Sequence, residues 1–173
     1  LIAQDKAYVS KEPATDDPAC TVEVVRLRNQ GTSVTFSDLI RGDVTFDTTE
    51  LGDFVIARSI DDPLYHFAVV TDDADAGVTH VLRAEEHISN TPRQILIQEA
   101  CGFTRPQYGH FPLILAPDRT KLSKRKHAAS IDIFREQGFL PEALINYLGL
   151  LGWTPPSGNE ILSLSEMIAT FDL

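Results

Sequence analysis

The sequence predicts an α/β fold, and three observations predict it. Residues 20–59 are a run of β-branched and apolar segments broken by turns. Residues 78–115 alternate strand, helix, strand, the βαβ pattern that implies parallel pairing. From residue 127 onward the apolar spacing is helical. A chain of 173 residues, 43% hydrophobic and 23% charged, can bury a core, which argues against wholesale disorder.

The elements follow in order. Residues 1–19 are polar and rich in Pro and Asp, and read as a loop. Thr21–Leu27 and Val34–Phe36 are β-branched and apolar. Val44–Phe46 alternates after the turn Arg41-Gly42-Asp43, and Phe54–Arg58 follows the turn Leu51-Gly52-Asp53. Asp62 as N-cap with Pro63 at the first position opens a helix carrying Leu64, Phe67, Ala68 and Thr71, although Phe67–Val70 alone also suits a strand. Val78–Arg83 alternates toward a charged end and reads as a strand. Thr91-Pro92-Arg93-Gln94 is a capping box opening a helix that stops at Gly102. Phe111–Leu115 reads as a short buried strand. Helices are expected over Ser130–Gln137 and Pro141–Leu151, and after the capping box Ser163–Glu166.

The charge is unevenly spread. There are 15 Lys and Arg against 25 Asp and Glu, a formal net charge of −10. Five of the basic residues, Arg119, Lys121, Lys124, Arg125 and Lys126, fall in the acid-free stretch 119–126, so the rest of the chain carries ten basic against twenty-five acidic residues, or −15. A bulk basic surface that grips phosphates non-specifically is excluded, whereas a focused cationic loop is not. No apolar run is long enough to span a bilayer, so no membrane partner is expected. Cys20 and Cys101 form no CxxC or Cys/His cluster, so no zinc site is expected. Two buried thiols in a reducing compartment are favoured over a disulfide.

The segment Lys121-Leu122-Ser123-Lys124-Arg125 is the sharpest chemical feature. Two lysines separated by two residues converge on a polyphosphate if the loop curls, and Ser123 adds a hydroxyl donor. On charge alone a solvated basic turn is the favoured reading. In context, this KLSKR string resembles the KMSKS-type loop of class I aminoacyl-tRNA synthetases. Tyr65-His66-Phe67-Ala68 with Asp72-Asp73, Thr79 to His87, Asn90-Thr91-Pro92, Phe111 to Leu115, and Gly138 to Leu148 with Leu151-Gly152-Trp153 resemble the glutamyl-tRNA synthetase family specifically. The likeness runs from about residue 22 to about residue 171.

The resemblance implies a division of the chain. Residues 1–60 would be the later part of an acceptor-stem-binding insertion. Residues 61–126 would be the second half of a Rossmann-like parallel-sheet catalytic domain, and 127–173 the start of a helical stem-contact region. It implies that Tyr65 and Arg83 line the glutamate pocket, with Arg83 as counter-charge to a substrate carboxylate. Glu86 would sit beside the ATP ribose, and the Ile114 backbone against the adenine. Lys121 and Lys124 would steady the phosphates as pyrophosphate leaves, within an ATP-binding loop that also includes Leu122, Ser123 and Arg125. These roles suit the residue chemistry, because a guanidinium forks a carboxylate and fixed cations stabilise developing phosphate charge. On residue type alone, Arg83 also fits a salt bridge to Glu85, Tyr65 a core ring and Glu86 a solvated acid. Asp72-Asp73 reads as surface acid at a helix end, His66 and His87 as structural or peripheral, and Trp153 as a packing anchor.

The implied partners are ATP with Mg²⁺, L-glutamate and tRNA, in a cytoplasmic enzyme whose full-length parent is a monomer. Arg26, Arg28 and Arg41 are the candidate tRNA contacts. The chain departs from the family pattern in lacking a HIGH-type motif and the anticodon-binding domain, so it reads as an internal piece that is inactive alone. Val69 and Leu64 replace polar residues common in the family next to Tyr65. Glutaminyl-tRNA synthetase fits the Tyr65–Asp73 text less well. A shortened paralogue that glutamylates a tRNA base fits Pro141–Trp153 less well. A non-enzymatic acidic α/β binding module would make the ordered motifs a coincidence.

Overall fold

A computed structural model of the chain describes residues 1–14, 19–115 and 130–172. These form two compact units, Leu1–His110 and Phe111–Leu173.

The first unit holds two sheets. Strands β1 (Ala7–Pro13), β2 (Thr21–Leu27), β5 (Phe54–Ser59) and β6 (Asp62–Pro63) make one antiparallel sheet in the order β1-β2-β5-β6. β1 was expected to be loop. It forms because Ala7 buries opposite Leu27, and because charged pairs lace the two strands, with Arg26 to Glu12 at 2.5 Å and Lys11 to Glu23 at 3.6 Å. The second sheet holds β3 (Ser33–Asp38), β4 (Gly42–Asp47), β7 (His80–Ala84) and β8 (Gln107–Phe111), in the order β4-β3-β8-β7. β3 pairs antiparallel with β4 and parallel with β8, where Asp38 stands opposite Tyr108. The β3–β4 turn closes at Gly42, whose φ of 73° is a conformation that a side chain disfavours.

Helix α1 (Tyr65–Asp75) starts later than its sequence suggests. Asp62 and Pro63 do not cap it; they pair with Ser59 and Ala57, and the Leu64 N–H donates to the Ile56 carbonyl at 2.8 Å. The strand pairing captures the backbone that the Asp-Pro signal would have given to the helix. Helix α2 (Thr91–Cys101) ends at Gly102 in the left-handed region, as expected, but Thr91 is not its N-cap. A 3₁₀ helix over Glu85–Asn90 runs directly into it, and the Thr91 hydroxyl is used elsewhere. The strand expected at Phe111–Leu115 lies at Gln107–Phe111 instead. Pro112 has no N–H to continue the ladder.

α2 serves both sheets. Ile97 packs with Ala7, Val25, Leu27, Ile56 and Val70, while Ile95 packs with Val34, Phe36 and Tyr108. β7, α2 and β8 thus make the expected strand–helix–strand unit, and the fold is α/β. In the second unit, α3 (Ile131–Glu136), α4 (Pro141–Leu150) and α5 (Leu164–Thr170) lie where helices were expected. Ser130 caps α3, and Ser163 with Glu166 forms a complete capping box. Asn146 ties α4 to the segment before α5 through the Glu160 carbonyl and the Leu162 N–H. Trp153 packs on Phe171, ring centres 5.8 Å apart, which fits its reading as an anchor. Cys20 and Cys101 share no disulfide, but Cys20 is exposed rather than buried, because it lies at the end of the loop before β2.

Candidate functional site

The site is built where β7 delivers Arg83 toward the start of α2. The Arg83 Nε–H donates to His110 Nε2 at 3.1 Å, and Nη2 donates to the Thr91 hydroxyl at 2.8 Å and to the His87 carbonyl at 3.4 Å. The guanidinium also lies 5.6 Å from the Tyr108 ring centre. Burial lowers its pKa, which Tyr108, Tyr65 and Asp73 partly offset, yet an arginine stays charged at neutral pH. Among the described residues no carboxylate pairs with it. The expected competitor, Glu85, is instead bonded by Arg41, which also reaches the His110 carbonyl at 3.3 Å.

Behind Arg83 lies a buried pair that sequence reading missed. His110 and Asp38 are 0% and 3% exposed. His110 Nδ1 lies 2.5 Å from Asp38 Oδ2, and Asp38 Oδ1 accepts the N–H groups of Ile40, Arg41 and His110 at 3.0, 3.0 and 3.2 Å. Burial works against the Asp38 charge, but the hydrogen bonds from His110 and those backbone groups outweigh it and hold the carboxyl below its usual pKa. Burial also lowers the His110 pKa, against the pull of Asp38 and helped by Arg83. The imidazole is therefore neutral. Because arginine only donates, Nε2 must be its lone-pair nitrogen and Nδ1–H must point at Asp38. One sequence signal could have found Asp38: it is the third inward position of β3 after Val34 and Phe36, where an acid demands a buried partner.

Tyr65 begins α1 and is 59% exposed, so it is not a core ring. Its ring meets His66 edge-on at 5.3 Å, and its hydroxyl is near enough to Arg83 to bear on the Arg83 pKa. His66 is held below its usual pKa by burial and by the Arg93 and Arg83 charges, and its buried Nδ1 has no partner among the described residues. Glu86 stands in the 3₁₀ turn before α2, 3.6 Å from His87 Nε2. Tyr65, Arg83 and Glu86 thus belong to one unit. Ile114 is an exposed residue of the second unit, beyond the end of β8, not the core strand residue that was expected. Lys121, Leu122, Ser123, Lys124 and Arg125 lie outside the described residues. Asp72 and Asp73 sit near the end of α1. Among the described residues no three His, Cys, Asp or Glu side chains converge as a metal site. No described helix is long and apolar enough to cross a membrane. The candidate tRNA contacts are engaged within the chain: Arg26 with Glu12 and the Asp53 carbonyl, Arg28 with Asp5, and Arg41 with Glu85.

The strand–helix–strand unit β7–α2–β8, with Arg83 held at its strand end by neutral partners, is consistent with the catalytic domain of a class I synthetase. The chain belongs to the family described as tRNA synthetases class I (E and Q), catalytic domain, which matches residues 4–173. Its relatives narrow that class. It is 56% identical over 142 residues to the glutamate–tRNA ligase of Aquifex aeolicus and 54% identical over 143 residues to that of Carboxydothermus hydrogenoformans. These matches cover 82% and 83% of this chain but 30% of each relative, so the chain spans under a third of their length. Among solved structures it resembles the glutamate–tRNA synthetase of Elizabethkingia anophelis, with a TM-score of 0.75, 35% identity, and coverage of 87% of this chain and 34% of that one. It also resembles the glutamate–tRNA ligase of Elizabethkingia meningosepticum in complex with its amino acid, with a TM-score of 0.76 and 35% identity.

Proposed function

We propose that this chain is part of a glutamate–tRNA ligase. The reaction joins ATP and L-glutamate as glutamyl-adenylate with release of pyrophosphate, then passes the glutamyl group to the 3′ end of tRNA in the cytoplasm. One observation carries the substrate assignment. Arg83 is a half-buried cation held by neutral groups, with no carboxylate partner among the described residues. A charge stabilised in that way is prepared for an anion from outside. Nε and Nη2 are already committed, so the carboxylate approaches the Nη1 side rather than the Nε–Nη2 fork. Tyr65, exposed at the start of α1, offers its hydroxyl as a further donor.

The same reading gives Glu86 the ATP ribose and the Ile114 backbone the adenine. Lys121 and Lys124, within the loop that includes Leu122, Ser123 and Arg125, stabilise the leaving pyrophosphate electrostatically, with no covalent enzyme intermediate. It divides the chain at residues 60 and 126 into insertion, catalytic half and stem-contact region. It takes the chain alone to be inactive, and the complete polypeptide to be a monomer that binds tRNA, ATP with Mg²⁺ and glutamate. The test is charging of tRNA by the complete natural chain with radiolabelled amino acid. Glutamate incorporation that needs ATP is expected. Charging with glutamine and not glutamate would overturn the assignment, and so would glutamyl transfer to a tRNA base.

A further inference from the structure

We infer that Asp38 and His110 are a positioning pair that sets the guanidinium of Arg83 for its ligand. The inference rests on the reading of Arg83 as the counter-charge to a substrate carboxylate. Its evidence is separate: a continuous line of hydrogen bonds from the β3–β4 turn to the guanidinium. The N–H groups of Ile40 and Arg41 fix Asp38 Oδ1, Asp38 Oδ2 takes the Nδ1 proton of His110 at 2.5 Å, and His110 Nε2 takes the Nε proton of Arg83 at 3.1 Å. Each group has one assignable direction of donation. Arg83 cannot accept and the ionised Asp38 cannot donate, so the imidazole between them can hold only the Nδ1–H tautomer.

That polarity has a consequence for the ligand. With Nε fixed by His110 and Nη2 shared between Thr91 and the His87 carbonyl, the plane of the guanidinium is fixed by two different elements, β8 and the start of α2. Nη1 is left without a partner among the described residues, and it is not among the buried unpartnered atoms. Rotation of the guanidinium about its stem would cost the His110 bond, so His110 determines where the Nη1 protons point. His110 touches no substrate in this account and acts only through Arg83.

Asparagine and glutamine separate the two halves of the imidazole. Asparagine places a donor near the Nδ1 position and keeps the tie to Asp38, but offers nothing to Arg83. Glutamine places an amide oxygen near the Nε2 position and keeps the acceptor for Arg83. In the complete natural chain, His110→Asn should raise KM for glutamate at least about tenfold, while KM for ATP and kcat stay within about twofold. His110→Gln should bring KM for glutamate back to within about threefold of the unaltered protein. An unchanged KM for glutamate in His110→Asn overturns the pairing, as does an equal loss of every constant in both variants. Arg83→Ala is run alongside. If it leaves KM for glutamate unchanged, the carboxylate reading of Arg83 falls and the pairing falls with it. If it raises KM and His110→Asn does not, only the pairing falls. Should both His110 variants fail to fold, the imidazole ¹⁵N shifts of the unaltered protein decide. A protonated Nδ1 with an unprotonated Nε2 supports the pairing, and a protonated Nε2 overturns it.

Discussion

Asp38→Ala takes the acceptor away from four donors at once. Two of them, the Ile40 and Arg41 N–H groups, lie in an exposed turn where water can replace the carboxylate at little cost. The other two, the N–H and Nδ1–H of His110, belong to a residue with no solvent exposure. A buried donor left unsatisfied costs about 1–3 kcal/mol, so the two together place the loss at about 4 kcal/mol. Asp38→Asn is milder but still defective. It keeps an oxygen for the three backbone donors, but its amide NH₂ faces His110 Nδ1–H. If the imidazole switches tautomer to accept that NH₂, the new Nε2–H faces the Arg83 Nε–H. One donor–donor conflict remains either way, at about 1–3 kcal/mol. Native-state amide exchange read by mass spectrometry, peptide by peptide across β3 and β8, measures both variants. A loss below about 1 kcal/mol for Asp38→Ala, or an Asp38→Asn that costs nothing, would refute the buried, directional network.

Three further outcomes are expected. Acid should weaken the first unit in two stages of the same sign. Both folded-state pKa values are lowered, so the His110 contribution is whole above about pH 6.5 and is lost as pH falls through its folded value. The Asp38 contribution is whole above about pH 3.9 and is lost lower still, and exchange of the β8 amides against pH should show both stages. In the second unit, Ser163→Ala removes the hydroxyl that accepts from the Glu166 N–H at 3.3 Å, and should cost about 1 kcal/mol in urea unfolding followed at Trp153, the only tryptophan. Gly149→Ala sets a methyl against the terminal methyl of the flexible Met167 side chain, which can turn aside, so the better helix propensity should offset the contact and leave Trp153 unfolding within about 1 kcal/mol of the unaltered protein.

Most strands and helices were legible because their signals are local. Thr21–Leu27 is β-branched and apolar, Gly102 stops α2 and Ser163–Glu166 caps α5. Where reading failed, a long-range partner had overridden a local signal. β1 has a polar, proline-rich neighbourhood and forms only because β2 is beside it. Asp62-Pro63 looks like a helix start but pairs with β5. Thr91 looks like an N-cap but serves Arg83 and the His87 carbonyl. The site was half legible for the same reason. Arg83 and Tyr65 stood out through their resemblance to a family motif. Asp38 and His110 are 72 positions apart in sequence and meet only because β3 and β8 pair in parallel.

The charge count sharpens in the same way. Arg26, Arg28 and Arg41 each spend their charge on an acid of this chain. Among the described residues Arg83 does not, and its reading as a carboxylate counter-charge rests on that difference. The most direct test is KM for glutamate of Arg83→Ala in the complete natural chain. Loss of a charge-assisted pair worth about 3 kcal/mol predicts a rise of about 100-fold or more, with KM for ATP unchanged. An unchanged KM for glutamate would contradict the central claim.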